Sequence, residues 1–168
     1  MNPPEAAVAD AGPIIHLDEL SSLWLLNCYE KIWVPDRVAR EAEAYRPGWQ
    51  KRMPRNHEVV EVGKREVAAL LDQLDESLDP GEIEALALWR LHPGATVLCD
   101  DLIARKTAMN FGATVIGTLG LIIKAARQER MSKESMLDLI QEIPDSTSLH
   151  VSKDLIEFCI REIEKTQR

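Results

Sequence analysis

Two adjacent aspartates, Asp100 and Asp101, end the apolar run TVLC at residues 96–99. Held about 4 Å apart, two carboxylates repel by roughly 4 kcal/mol at an effective dielectric near 20. A helix N-cap explains one of them, and the second calls for a cation. Three more acids sit where short apolar runs stop or helices start. Asp10 follows AAVA, Glu41 lies in VPDRVAREAEA, and Glu82 lies in LDPGEIEALALW, with Glu84 two residues on as a fallback. Oxygen donors of this kind suit hard cations, Mg²⁺ or Mn²⁺.

Each acid also has a structural reading. Asp10 can cap a helix entered at Pro13. Asp79, Pro80 and Glu82 make a capping box that accounts for Glu82 by itself. Glu41 shares the i, i+3, i+4 face of its helix with Val38 and Ala42. A carboxylate there needs either a bound cation or an arginine such as Arg105. Glu84 points about 200° around the helix from Glu82, away from any ligand Glu82 reaches.

Other chemistries find no support. His16, His57, His92 and His150 are scattered, without zinc-ligand spacing. Cys28, Cys99 and Cys159 lie far apart with no CxxC, and read as small apolar side chains in a reducing cytoplasm. No GxxxxGK(S/T), GxGxxG or GxSxG occurs. A haloacid-dehalogenase-type phosphatase would need an Asp where Gly12 stands. A receiver domain would carry its acidic pair after the first strand rather than a late one.

The elements that must position these acids alternate. Strands are predicted at 6–9, 31–34, 58–62, 95–99 and 113–117, and helices at 13–26, 35–45, 64–76, 80–91 and 102–110. Everything from residue 118 reads as helical. The pattern predicts a three-layer α/β/α fold with a mostly parallel central sheet of four or five strands. Residues 1–130 form the α/β domain, and residues 131–168 form a helical extension packed on it. In such sheets the crevice beyond the strand ends is the usual ligand site, which is where Asp10, Asp100 and Asp101 fall. The intervening loop RPGWQKRMPRNH mixes Arg46, Lys51, Arg52 and Arg55 with Trp49, the composition of a surface that tracks a nucleic-acid backbone or of a solvated basic loop.

The chain has 168 residues, 45% hydrophobic and 29% charged, with a net charge of −8. That charge argues against bulk adhesion to nucleic acid or anionic membrane, yet an acidic metal site contributes to it. No secretory signal or membrane-length apolar run is present, so a cytoplasmic protein without a membrane partner is expected.

The pieces VADAGPIIHL, VPDRVAREA, LDPGEIEALALW, VLCDDLIARKTAMNFG and VIGTLGLIIKA follow one another over residues 7–130. In this order they resemble the PIN-domain nucleases, most closely a prokaryotic PIN-like subfamily related to VapC-type toxins. The resemblance implies a metal-dependent ribonuclease that cleaves single-stranded RNA to leave a 5′-phosphate. It implies Mg²⁺ or Mn²⁺ at Asp10, Glu41, Glu82, Asp100 and Asp101, with Asp10, Glu41, Glu82 and Asp101 catalytic. Asp10 and Asp101 are the first choices as direct ligands; Asp100 stays open between an indirect role and a helix cap. Arg105 and Lys106, one turn beyond, either steady the acids or join the basic loop as RNA contacts. A toxin would have an antitoxin protein as partner, and the C-terminal helices offer apolar faces for a homodimer. The family often has a hydroxyl where Gly12 stands, and usually Asp where Glu82 stands. Both departures favour the rival reading, a catalytically silent PIN-like module that binds RNA or protein.

Overall fold

The computed structural model describes residues 5–74, 77–128 and 130–165. Five strands form one sheet: β1 (Ala6–Ala9), β2 (Lys31–Pro35), β3 (His57–Val60), β4 (Thr96–Leu98) and β5 (Val115–Ile116). Their order is β3-β2-β1-β4-β5, and every pairing is parallel. Eight α-helices are described: α1 (Ala11–Glu19), α2 (Asp36–Tyr45), α3 (Lys64–Leu71), α4 (Pro80–Leu91), α5 (Leu102–Asn110), α6 (Thr118–Arg127), α7 (Lys133–Ser146) and α8 (Lys153–Lys165).

Side chains alternate across each strand, so a sheet covered on both faces needs two cores. Ala7, Ala9, Ile32, Val34 and Leu98 enter the core shared with α1, α2 and α6. Val8, Val97 and Cys99 enter the one shared with α4 and α5. The three-layer α/β/α arrangement follows. Met136, Ile140 and Ile143 of α7, with Cys159 and Ile163 of α8, belong to the first of these cores. Among the described residues no helix is long and apolar enough to cross a membrane.

The chain leaves β1 toward β2 on one side, while β4 flanks β1 on the other. The connections after β1 and β4 therefore diverge and open a crevice at their carboxyl ends.

Two helices differ from the periodicity. The helix predicted over 13–26 stops at Glu19 and gives way to a 3-10 segment, Leu23–Cys28. Ser21 adopts φ 53°, Ser21 N donates to Asp18 O at 3.0 Å and Ser22 N to Leu17 O at 2.7 Å. This is a Schellman termination built without glycine, so no sequence signal announced it. The helix predicted over 64–76 ends at Leu71; residues 75 and 76 lie outside the described ones.

Candidate active site

Asp10 stands where β1 stops. Its backbone N–H donates to Leu98 O at 2.9 Å, continuing the ladder one residue past the strand. That bond turns the side chain into the crevice between β1 and β4, where the residue is 8% exposed. Burial pushes the Asp10 carboxyl up to about 7; the Ala11 N–H opposes this, while Glu82, Glu41 and Asp100 add to it. The charged neighbours acting on it are all acids. The Cys99 thiol, 3.8 Å from Oδ2, is a weak donor and is itself held protonated by burial and by Asp10.

α2 and α4 bring two glutamates to the same crevice. Val38 and Ala42 of α2 are buried, while Glu41 stands at the solvent margin of that face. A Cβ on Gly81 would lie 3.2 Å from Glu41 Oε2 and 3.9 Å from Asp10 Oδ1. The missing side chain eases the close approach of the first turn of α4 to Glu41, with Asp10 at ordinary contact distance. The predicted capping box forms, with Asp79 N donating to Glu82 Oε2 at 2.8 Å. Glu82 nevertheless stays close enough to Asp101 and Glu41 for their charges, after burial, to raise its pKa. Burial likewise raises Glu41, with Asp79 adding to it. Arg105 does not neutralise Glu41; its Nη1 donates to Cys99 O at 3.1 Å.

The two adjacent aspartates separate into different roles. Asp101 is the N-cap of α5: its Oδ1 accepts from Ile103 N at 2.8 Å and Ala104 N at 2.9 Å. Asp100 turns inward. Its Oδ1 accepts from Thr118 N at 2.7 Å, and its Oδ2 from Thr118 Oγ1 at 2.6 Å and His16 Nδ1 at 2.7 Å. Asp101 thus spends one carboxylate oxygen on the α5 N-terminus and stays exposed. Gly117 permits the inward turn of Asp100, since a Cβ there would stand 2.6 Å from Asp100 Oδ1 and 2.5 Å from Arg105 Nη1.

His16 and Thr118, which the sequence reading left without a role, are thus the partners of a central acid. Thr118 opens α6 after Gly117, so its N–H and hydroxyl are both at a helix N-terminus that favours an anion. His16 gave no local signal, being 84 residues from its partner. The hydroxyl absent at Gly12 is answered by these donors: a Cβ on Gly12 would meet Asp100 Oδ2 at 3.5 Å and His16 Cε1 at 3.6 Å.

Among the described residues no three His, Cys, Asp or Glu side chains converge tightly enough to enclose a metal ion. The donor set still fits a hard divalent cation. Its candidate ligands are carboxylates, and Asp10 is a buried one whose pKa the surrounding acids raise, so that its negative charge has no neighbouring cation among the described residues to offset it.

A family model described as a PIN domain, DUF3368, matches residues 6–165. The chain belongs to this PIN-domain family. No curated protein and no solved structure matches it. PIN domains are typically nucleases that use Mg²⁺ or Mn²⁺, and the crevice of this one holds Asp10, Glu41, Glu82 and Asp100 at the carboxyl edge of its sheet.

Part of the basic loop of this PIN domain is engaged by the fold itself. Trp49 is fully buried and its Nε1 donates to Ala39 O at 3.3 Å, so it offers no face to a base. Arg46 Nε donates to Asp18 Oδ2 at 2.6 Å, and Arg52 Nε to Asp18 Oδ1 at 2.6 Å. Two guanidiniums thus satisfy one buried carboxylate and hold it below the usual range against burial. Lys51, Arg55 and Lys106 are exposed. The fallback Glu84 faces away from the crevice, accepting from Arg37 Nε at 3.2 Å. Arg52→Ala is expected to cost about 1 kcal/mol in urea unfolding, because Arg46 remains on Asp18. The same variant should leave RNA affinity unchanged; a large affinity loss without destabilisation would restore the loop as an RNA contact.

Proposed function

We propose that the protein is a divalent-metal-dependent ribonuclease acting within single-stranded RNA. The observation that carries this reading is Asp10: a buried carboxyl at the end of a central strand, facing three other acids with no base among the charges acting on it. Asp10 and Asp100 would hold Mg²⁺ or Mn²⁺ from the strand ends, and Glu41 and Glu82 from the flanking helices. The metal supplies charge neutralisation for the phosphodiester and acidifies a bound water. Thr118 and His16 keep both oxygens of Asp100 hydrogen-bonded and aimed into the crevice. Burial raises the pKa of Glu41 and Glu82, which makes each a better acceptor of a proton from water than an exposed carboxylate. Arg105 reaches the crevice beside Asp100 and is placed to meet a phosphate oxygen.

The narrower form of the reading is the toxin of a VapBC-type pair, with an antitoxin as protein partner. A small DNA-binding protein encoded immediately upstream would support it. The test of the main reading is cleavage of a labelled single-stranded RNA by the full chain with Mn²⁺. Cleavage should vanish with chelator and with Asp10→Asn while the circular-dichroism spectrum is retained. Equal cleavage by wild type and variant would assign the activity to a contaminant.

A further inference from the structure

The chain has four Trp, two Tyr and two Phe. Of these eight side chains only Tyr45 and Phe158 are exposed, at 69% and 48%. Each is in a groove that opens beside the acidic crevice, and the two grooves lie on opposite flanks of it.

On the β2 side, α2 carries Arg37, Glu41 and Tyr45 at i, i+4 and i+8, one stripe of the helix. These three, with Arg40 and the start of α4, line a groove of about 480 Å³. On the β5 side, a groove of about 530 Å³ runs from Asp100 and Arg105 over Gly117 to His150, Leu155 and Phe158. Glu41 belongs to the first groove and Asp100 to the second, so both are continuous with the site. Two strands, β1 and β4, stand between β2 and β5 in the sheet, with Asp10 and Asp100 at their carboxyl ends.

Charge follows the same plan. The centre is acidic and would hold cations, while Arg37 and Arg40 on one flank and Arg105 on the other suit phosphates. Arg37 and Arg40 are engaged only in exposed pairs, with Glu84 and Asp36. Such pairs are weak and yield to a phosphate at little cost. A second copy of the chain would explain an apolar groove on the β5 side, but not cations and an aromatic repeated on the opposite flank.

We infer that single-stranded RNA crosses the carboxyl edge of the sheet between two stacking residues, Tyr45 and Phe158, with the scissile phosphate over the acids between them. The inference rests on the ribonuclease reading above. Base stacking on an aromatic is sequence-tolerant, so the track binds RNA with little base preference.

The test is fluorescence anisotropy of a labelled 12-nucleotide oligo(U) with the full chain in the cleavage-deficient Asp10→Asn background. Adding Tyr45→Ala or Phe158→Ala should each weaken binding by about 10-fold, and together by about 100-fold. Tyr45→Phe should bind within about 2-fold, since the stacking face remains. Both side chains are exposed, so melting temperatures should hold. Unchanged affinity in either alanine variant, or no binding of the oligonucleotide at all, would overturn the track. So would Phe158→Ala converting a dimer to a monomer with affinity intact, which would make that groove an interface between copies. If the affinity pattern holds but the wild-type chain cleaves no RNA, the ribonuclease reading fails and the track stands as a binding surface.

Discussion

Asp10→Asn is expected to make the metal-free protein more stable at pH 8, by as much as about 4 kcal/mol. The folded carboxyl is pushed up to about 7 from an ordinary value of 3.8, chiefly by burial. Between those values the folded state keeps a proton that the unfolded state has released. Stability therefore falls as pH rises from about 4 to about 7, and the full deficit persists above that. Asparagine has no proton to lose there, so the variant should keep only the part of the decline that the raised Glu41 and Glu82 contribute. At pH 4 the two proteins should melt together; at pH 8 in chelator the variant should melt roughly 10 °C higher. Mn²⁺ should reverse the order by stabilising the wild type and leaving the variant unmoved. Parallel pH profiles for the two proteins would show that the Asp10 carboxyl is not strained. A Mn²⁺ shift retained in the variant would remove Asp10 from the metal set.

The two adjacent aspartates should respond in opposite ways to the same substitution. Asp100→Asn presents an NH₂ to one side of a carboxylate that accepts from Thr118 N, Thr118 Oγ1 and His16 Nδ1. Thr118 Oγ1 and His16 Nδ1 would have to turn from donors to acceptors, and the charge-assisted bonds are lost, a cost of about 1–3 kcal/mol in urea unfolding. Cleavage should fall by about 10²-fold or more, since a charged ligand of the crevice is gone as well. Asp101→Asn keeps an acceptor at the α5 N-cap, where Asn serves as well as Asp. It should shift stability by under about 0.5 kcal/mol and cleavage by no more than about 3-fold. The reverse ranking in a cleavage assay would return Asp101 to the centre of the site and make Asp100 a purely structural residue.

Much of this was legible in the chain because the signals were local. Strand AAVA ending at Asp10 and the capping box at Asp79 and Glu82 each depend on residues within a few positions of one another. The order of the acids along alternating strands and helices was enough to place the crevice at the carboxyl edge. Helix α1 was overrun because Ser21 takes a left-handed conformation that its residue type does not advertise. The basic loop misled for a related reason. Its composition matches a nucleic-acid surface, but a buried carboxylate 28 and 34 residues upstream claims two of its arginines.

By itself the sequence determined the three-layer parallel architecture and the set of acids at its carboxyl edge, because periodicity, caps and strand ends are written within a few residues. Only the tertiary structure showed that Asp101 caps α5 while Asp100 turns inward. Both follow β4 and both can cap α5; the choice depends on Thr118 and His16, brought to Asp100 from α6 and α1 by the sheet order. It also decided which cations and aromatics face the crevice. Arg46, Arg52 and Trp49 are spent on the fold, and Arg37, Tyr45, Arg105 and Phe158 take the flanks. The physical reason is the same in both cases: where a side chain points depends on which distant donor or acceptor reaches it first, and no local pattern encodes that.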